Sequence, residues 1–252
     1  AGAHLSGPYA LGSFGDAVYA GNVNLGATQF LPLLNTSFQR TYGNLYNSPS
    51  DMYEAPYDSY VETLLPSTSA STLLSSGALP ATALFAADSL PQPKGFELFF
   101  GAGNLIKSSY RNAVLADAVT NPTDPKHPLR VAGYRNDLLR QNWTPQQPML
   151  LCGGKDDPTV FYQLNTQAAH GYFTGRGVPG RAVLMLDVDG FETASNTDPF
   201  YAIQAGFEQL KTATFNEGGT TAVLQRYHGS LVPPFCNRAS REYFSQFLAA
   251  PR

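Results

Sequence analysis

Pro148-Met149-Leu150-Leu151-Cys152-Gly153-Gly154-Lys155-Asp156-Asp157-Pro158-Thr159-Val160 is the stretch on which the reading of this 252-residue chain turns. Met149 to Cys152 is an apolar run without polar alternation, as expected of a strand covered on both faces. Gly153-Gly154 breaks the run and two carboxylates follow. A helical pattern then runs from about Val160 to Gly177, where Gly177-Val178-Pro179-Gly180 stops it. In open parallel sheets, reactive groups collect just past the C-terminal ends of strands. A carboxylate there can hold an imidazole in one tautomer and stabilise its cation. Asp156 or Asp157 can equally cap the following helix by accepting its free N–H groups. With two adjacent carboxylates, only one need cap.

The same grammar continues downstream. Arg181 to Val188 reads as a second buried strand, and Pro199 to about Phe215 as a helix with Pro near its first turn. Thr221 to Tyr227 reads as a short strand or extended approach. Arg238 to Leu248 reads as a final amphipathic helix presenting Tyr243, Phe244 and Phe247. Strands alternating with helices predict a parallel sheet covered on both faces. Ala1-Gly2-Ala3-His4-Leu5 reads as a short buried strand ending at Ser6-Gly7-Pro8. A chain without an initiator Met that opens on a strand points to a piece of a longer protein.

Three regions follow: a strand and turn over residues 1–12, a mixed region over 13–145, and an α/β region over 146–252. In the middle region Phe30, Leu31, Leu34, Phe38 and Tyr42 recur near helical spacing. So do Tyr53, Tyr57, Tyr60, Val61 and Leu64, and also Leu105, Tyr110, Val114, Leu115 and Val119. Ser67 to Ser76 reads as a surface linker, and Asn121 to Pro125 as a turn. Short helices without strands predict a helical cap whose aromatic residues serve its own packing.

Composition removes whole classes of function. With 43% hydrophobic and 14% charged residues, the chain has enough apolar material for an ordered core. A net charge of -3 and scattered Lys and Arg leave no stripe for nucleic acid. No apolar run reaches about 18 residues, so no transmembrane helix is expected. Cys152 and Cys236 fit either two buried thiols or one disulfide. The polar, Lys-poor composition suits an exported enzyme, secreted or periplasmic, and that compartment permits a disulfide.

Histidine is the side chain whose charge changes nearest neutral pH, which suits it to general base and general acid work. His228, in Gln225-Arg226-Tyr227-His228-Gly229-Ser230-Leu231, sits in an expected loop before the last helix. The other histidines have structural explanations: His4 in the opening strand, His127 in a Pro-flanked turn, His170 inside a helix. Neither H-E-x-x-H nor C-x-x-C occurs, so no metal site is expected. Asp187 and Asp189 lack the remaining ligands of a calcium loop and read as a polar strand terminus.

Together these pieces resemble secreted bacterial esterases and lipases of the α/β-hydrolase superfamily. Gly154, Asp157, Pro158 and Val160 match the acid loop of that family, a strand followed by G-x-x-D-P-x-V. The match selects Asp157 over Asp156 as the acid. Ala3-His4-Leu5-Ser6-Gly7-Pro8-Tyr9 resembles the strand after the nucleophile helix, and Tyr227-His228-Gly229 the histidine loop. The resemblance covers both ends of the chain and leaves residues 13–140 where the family inserts its lid. It implies the C-terminal part of an α/β-hydrolase sheet with a mainly helical cap or lid insertion. It also implies a carboxyl-ester substrate that is lipid-like or small, no cofactor, and a Ser-His-Asp triad built with Asp157 and His228. A peptidase of the same fold and a non-catalytic scaffold remain as alternatives.

Two departures stand out. No serine lies in G-x-S-x-G, the nucleophile elbow of the family. Gly12-Ser13-Phe14-Gly15 lacks the spacing, and Ser6 has no Gly two residues before it. The nucleophile is then expected in a missing N-terminal part of the same enzyme. Second, Asp157 and His228 are about 70 residues apart, where one βαβ unit needs roughly 30. Residues 189–220 are therefore expected to hold an extra helical insertion. If the acid and histidine loops are neighbours, a Cys152–Cys236 bridge would tether them.

Overall fold

The computed structural model describes residues 1–64 and 66–248; residue 65 of the expected cap and residues 249–252 of the expected C-terminal region lie outside the described residues. The chain divides into two compact units. One comprises residues 1–10 and 138–252, the other residues 11–137.

The first unit is built on a parallel three-stranded sheet in the order β1 (Gly2–Leu5), β2 (Met149–Gly153), β3 (Val183–Asp187). Ala3 pairs with Leu150, which pairs in turn with Leu184. β2 is central, and all five of its residues are buried. Its side chains alternate between two cores, as the two-residue period of a strand requires. Leu150 and Cys152 join Leu186, Ile203, Phe207, Tyr227 and Tyr243 on one face. Met149 and Leu151 join Tyr9, Ala169, Phe173 and Val183 on the other. This explains the missing polar alternation: both faces of β2 meet apolar side chains.

The outer strands differ from their sequence reading. Both β1 and β3 read as buried, yet Leu5 and Met185 are substantially exposed. Among the described residues each pairs only with β2, so each has one uncovered edge.

After β2, a π-helical turn over Gln163–Gln167 leads into α7 (Ala168–Gly175), which ends before Gly177 as expected. The largest correction follows β3. Of the stretch Thr221 to Tyr227, expected to be extended, Thr221 to Arg226 belongs to a long helix, α8 (Tyr201–Arg226), and Tyr227 opens the turn that follows. The β-branched and apolar residues there look strand-like, but helical spacing places Val223, Tyr227 and Leu231 on one core-facing stripe. Gly218 and Gly219 kink α8. The latter takes φ 64° and ψ -162°, a conformation open only to glycine. The expected histidine loop is also helical: Tyr227–Leu231 forms a π-helical turn running directly into α9 (Val232–Leu248).

The second unit is helical, with α1 (Leu11–Tyr19), α2 (Ala27–Tyr42), α3 (Val61–Leu64), α4 (Ala70–Ser75), α5 (Ser108–Thr120) and α6 (Pro128–Arg135). The first and third expected cap helices match α2 and α5. The second does not form as one helix: Pro56 interrupts it, leaving a 3₁₀ turn at Tyr57–Ser59 and short α3. The expected linker Ser67–Ser76 contains α4, because Ser69 accepts a hydrogen bond from Thr72 N and Leu73 is buried in the core of this unit. That core includes Tyr19, Tyr53, Phe85, Phe100 and Tyr110. Arg111, fully buried, donates to Tyr19 O, Ser89 Oγ and Pro91 O and stacks over Phe85.

Candidate active site

The acid loop leaves β2 at Gly153 and closes a turn in which Asp157 N donates to Gly154 O. The Asp157 side chain is fully buried, and donors surround its carboxylate. Oδ1 accepts from Thr159 N at 2.8 Å and Val160 N at 3.0 Å. Oδ2 accepts from Ser6 Oγ at 2.8 Å and lies 2.8 Å from His228 Nδ1. One carboxylate thus performs both tasks that the sequence left to two: one oxygen caps the turn and the other meets the imidazole. Asp156 is instead 3.6 Å from the Lys211 ammonium.

The His228 side chain is 31% exposed. An ionised carboxylate can only accept, so a neutral imidazole facing it carries its proton on Nδ1 and leaves Nε2 as an acceptor. Among the described residues no hydrogen bond reaches Nε2. That tautomer would leave Nε2 able to accept a proton. The other histidines do not join it: His170 lies in α7, His127 precedes α6, and His4 lies in β1.

The long separation between Asp157 and His228 now has a structural reason. α8 and the π-helical turn that follows it each deliver one side chain to the back of the acid loop. Lys211 Nζ contacts both carboxylate oxygens of Asp189 at 2.8 Å. Tyr227, immediately before His228, donates its hydroxyl to Asp189 Oδ2 at 2.5 Å and accepts from Asp156 N at 3.2 Å. Tyr227 therefore joins the acid loop, the end of β3 and the histidine turn through one oxygen. Burial first, and then Asp189, push its pKa well above the usual tyrosine value. Gly154 is explained by the same contact: a Cβ there would lie 2.5 Å from the Tyr227 hydroxyl oxygen.

Asp187 and Asp189 are the polar strand terminus that the sequence suggested, and neither contacts His228. Asp187 Oδ1 accepts from Lys155 N at 2.9 Å and Asp189 N at 3.0 Å. Burial pushes its carboxyl pKa up to about 6, against the lowering effect of those two N–H groups. A carboxyl whose pKa is raised on folding binds protons more tightly in the native state, so its contribution to stability falls as pH rises through about 4 to 6. Asp187→Asn keeps an oxygen for both N–H donors and removes the buried charge. The variant should melt at a higher temperature than the parent at pH 8, and the gap should close by pH 4. Equal gaps at the two pH values in thermal melts would contradict this.

Cys152, at the end of β2, and Cys236, in α9, form a disulfide with Cα atoms 5.7 Å apart. The bridge sets α9, which follows directly from the histidine turn, against the strand that carries the acid loop.

Sequence reasoning missed Ser6 as a partner of the acid, and Tyr227, Asp189 and Lys211 as a bracket behind it. Ser6 carried one usable signal: it ends a strand predicted to lie in the same parallel sheet. Nothing local marked Lys211.

No protein-family model matches the sequence, and no curated protein matches it either. Solved structures do. The chain is similar to the rice cell wall degrading esterase LipA from Xanthomonas oryzae, at 24% identity and a TM-score of 0.56. A ligand-bound form of the same esterase matches at 23% identity and a TM-score of 0.56. In both cases 89% of this chain is covered, and the chain spans about half of the matched one, 48%. The likeness shows a shared fold.

Proposed function

We propose that this chain is the acid- and base-bearing part of a secreted or periplasmic serine carboxyl-ester hydrolase. The observation that carries the reading is the 2.8 Å contact between His228 Nδ1 and the buried Asp157 carboxylate, just past the end of a parallel strand. The matched structures are those of an esterase, which supports the same reaction class. The disulfide suits an oxidising compartment. Among the described residues no helix is long and apolar enough to cross a membrane.

His228 Nε2 takes the proton of a serine hydroxyl as its oxygen attacks the ester carbonyl. Asp157 holds the ring and stabilises the resulting imidazolium. His228 then returns the proton to the leaving alcohol, and water repeats the cycle to free the acid. The serine and the amides that hold the oxyanion lie outside this chain. That fits its coverage of about half of the matched structures. The helical unit is inserted between β1 and β2 in sequence, the position at which the resembling family carries its cap insertion.

Residues 1–252 alone should neither hydrolyse nitrophenyl esters nor take a fluorophosphonate label. A longer polypeptide carrying a G-x-S-x-G upstream should do both, and should prefer esters to the matching peptide amides. Stoichiometric labelling of a serine within residues 1–252 would overturn the reading. Preference for amides would turn it towards a peptidase.

A further inference from the structure

Ser6 follows β1 with a φ of 46° and, among the described residues, is the one residue other than glycine with a positive φ. Left-handed backbone disfavours any residue bearing a Cβ, and glycine occupies it without that cost. The side chain is buried rather than facing water. Its backbone N donates to Cys152 O at 2.6 Å, anchoring it to the end of β2. Its hydroxyl donates to Asp157 Oδ2 at 2.8 Å, the same oxygen that meets His228. A serine thus stands where the backbone favours glycine, and what its side chain adds there is one hydrogen bond to the acid.

We infer that Ser6 is a positioning residue that holds the Asp157 carboxylate for His228. This rests on the acid and base roles proposed above for Asp157 and His228. The geometry supplies the reason. Thr159 N and Val160 N fix Oδ1 from one side. Without Ser6, Oδ2 has only the partly exposed imidazole, and the carboxylate plane can rotate about its bond to Cβ. With Ser6, Oδ2 has a second, buried donor that does not move with the imidazole, so it presents a fixed lone pair to Nδ1. Ser6 is not placed as a nucleophile: it is buried, and its hydroxyl donates to Asp157 rather than to the Nε2 of His228.

Two variants separate this role from simple structural support. Ser6→Gly removes the hydroxyl and relaxes the backbone. Ser6→Ala removes the hydroxyl and keeps the Cβ. In the form of the protein that hydrolyses nitrophenyl esters, both should lower kcat about tenfold or more with KM unchanged, as expected for loss of a hydrogen bond to a charged group. Ser6→Gly should melt at or near the parent temperature, so lost folding cannot account for its lost rate. In proton NMR of the chain itself, the downfield Nδ1–H line of His228 should shift or broaden in both variants. Parent kcat together with an unchanged Nδ1–H line in Ser6→Gly would overturn the inference. A different result marks failure of the underlying reading: no downfield His228 line in the parent that Asp157→Asn abolishes. The NMR arm reports on Ser6 without any enzymatic activity, so the two failures are distinguishable.

Discussion

Asp157→Asn is expected to lower kcat for ester hydrolysis by about 10⁴-fold while leaving the protein folded. The two residues differ by one oxygen replaced with an NH2, and the buried site can accept that change. The asparagine carbonyl oxygen can take the place of Oδ1, keeping the bonds from Thr159 N and Val160 N. The NH2 group then faces Ser6 Oγ and His228 Nδ1. A hydroxyl can rotate to accept, but the imidazole must also accept at Nδ1. Its proton is then forced onto Nε2, the nitrogen that must be free to act as a base. His228→Ala should cost a similar factor by removing the base outright. Single-turnover rates with a nitrophenyl ester, taken on the enzyme carrying its nucleophile, test this beside thermal melts. Retention of more than about a tenth of the parent kcat in a folded Asp157→Asn protein would remove Asp157 from the triad, given the size of the tautomer effect.

Removing the disulfide, as Cys152→Ala with Cys236→Ala, is expected to cost about 4 to 5 kcal/mol of stability by the loop-entropy relation. The bridge closes a loop with a sequence separation of 84, so the unbridged unfolded chain regains a large conformational freedom. Both sulfurs are fully buried, so exposure to a mild reductant under native conditions should leave the bond intact. Denaturant titration of the double variant gives the free energy, and a loss below about 1 kcal/mol would contradict the loop-entropy argument. The same variant should turn over more slowly, because β2 carries the acid loop and α9 follows directly from the histidine turn.

Where the sequence was legible, one local pattern had one physical cause. Met149 to Cys152 read as a buried strand because both faces of β2 meet apolar side chains, and Phe38 of α2 and Tyr110 and Val114 of α5 are buried as their spacing predicted, although Phe30 and Val119 of the same stripes are exposed. Where it misled, two structures competed for the same letters. Thr221 to Tyr227 has the composition of a strand, and only packing of Val223, Tyr227 and Leu231 against the sheet makes it helical. β1 and β3 read as buried because an apolar run does not reveal which strand takes the edge. The pairing of Asp157 with His228 could be anticipated from their order, but the bracket of Lys211, Asp189 and Tyr227 could not. Lys211, Asp189 and Tyr227 are scattered along the chain, and no spacing announces that they converge.

The sequence by itself determined that Asp157 stands past the end of a buried parallel strand, with His228 as its candidate partner and two cysteines near both. Hydrophobic periodicity and turn chemistry are local, so they survive in the order of residues. Only the tertiary structure decided that one carboxylate serves both the turn and the imidazole, that Tyr227 requires a glycine at position 154, and that the Ser6 hydroxyl donates to Asp157. Each depends on an approach of about 3 Å or less between residues brought together by the sheet and by α8, and such distances exist only after the chain has folded.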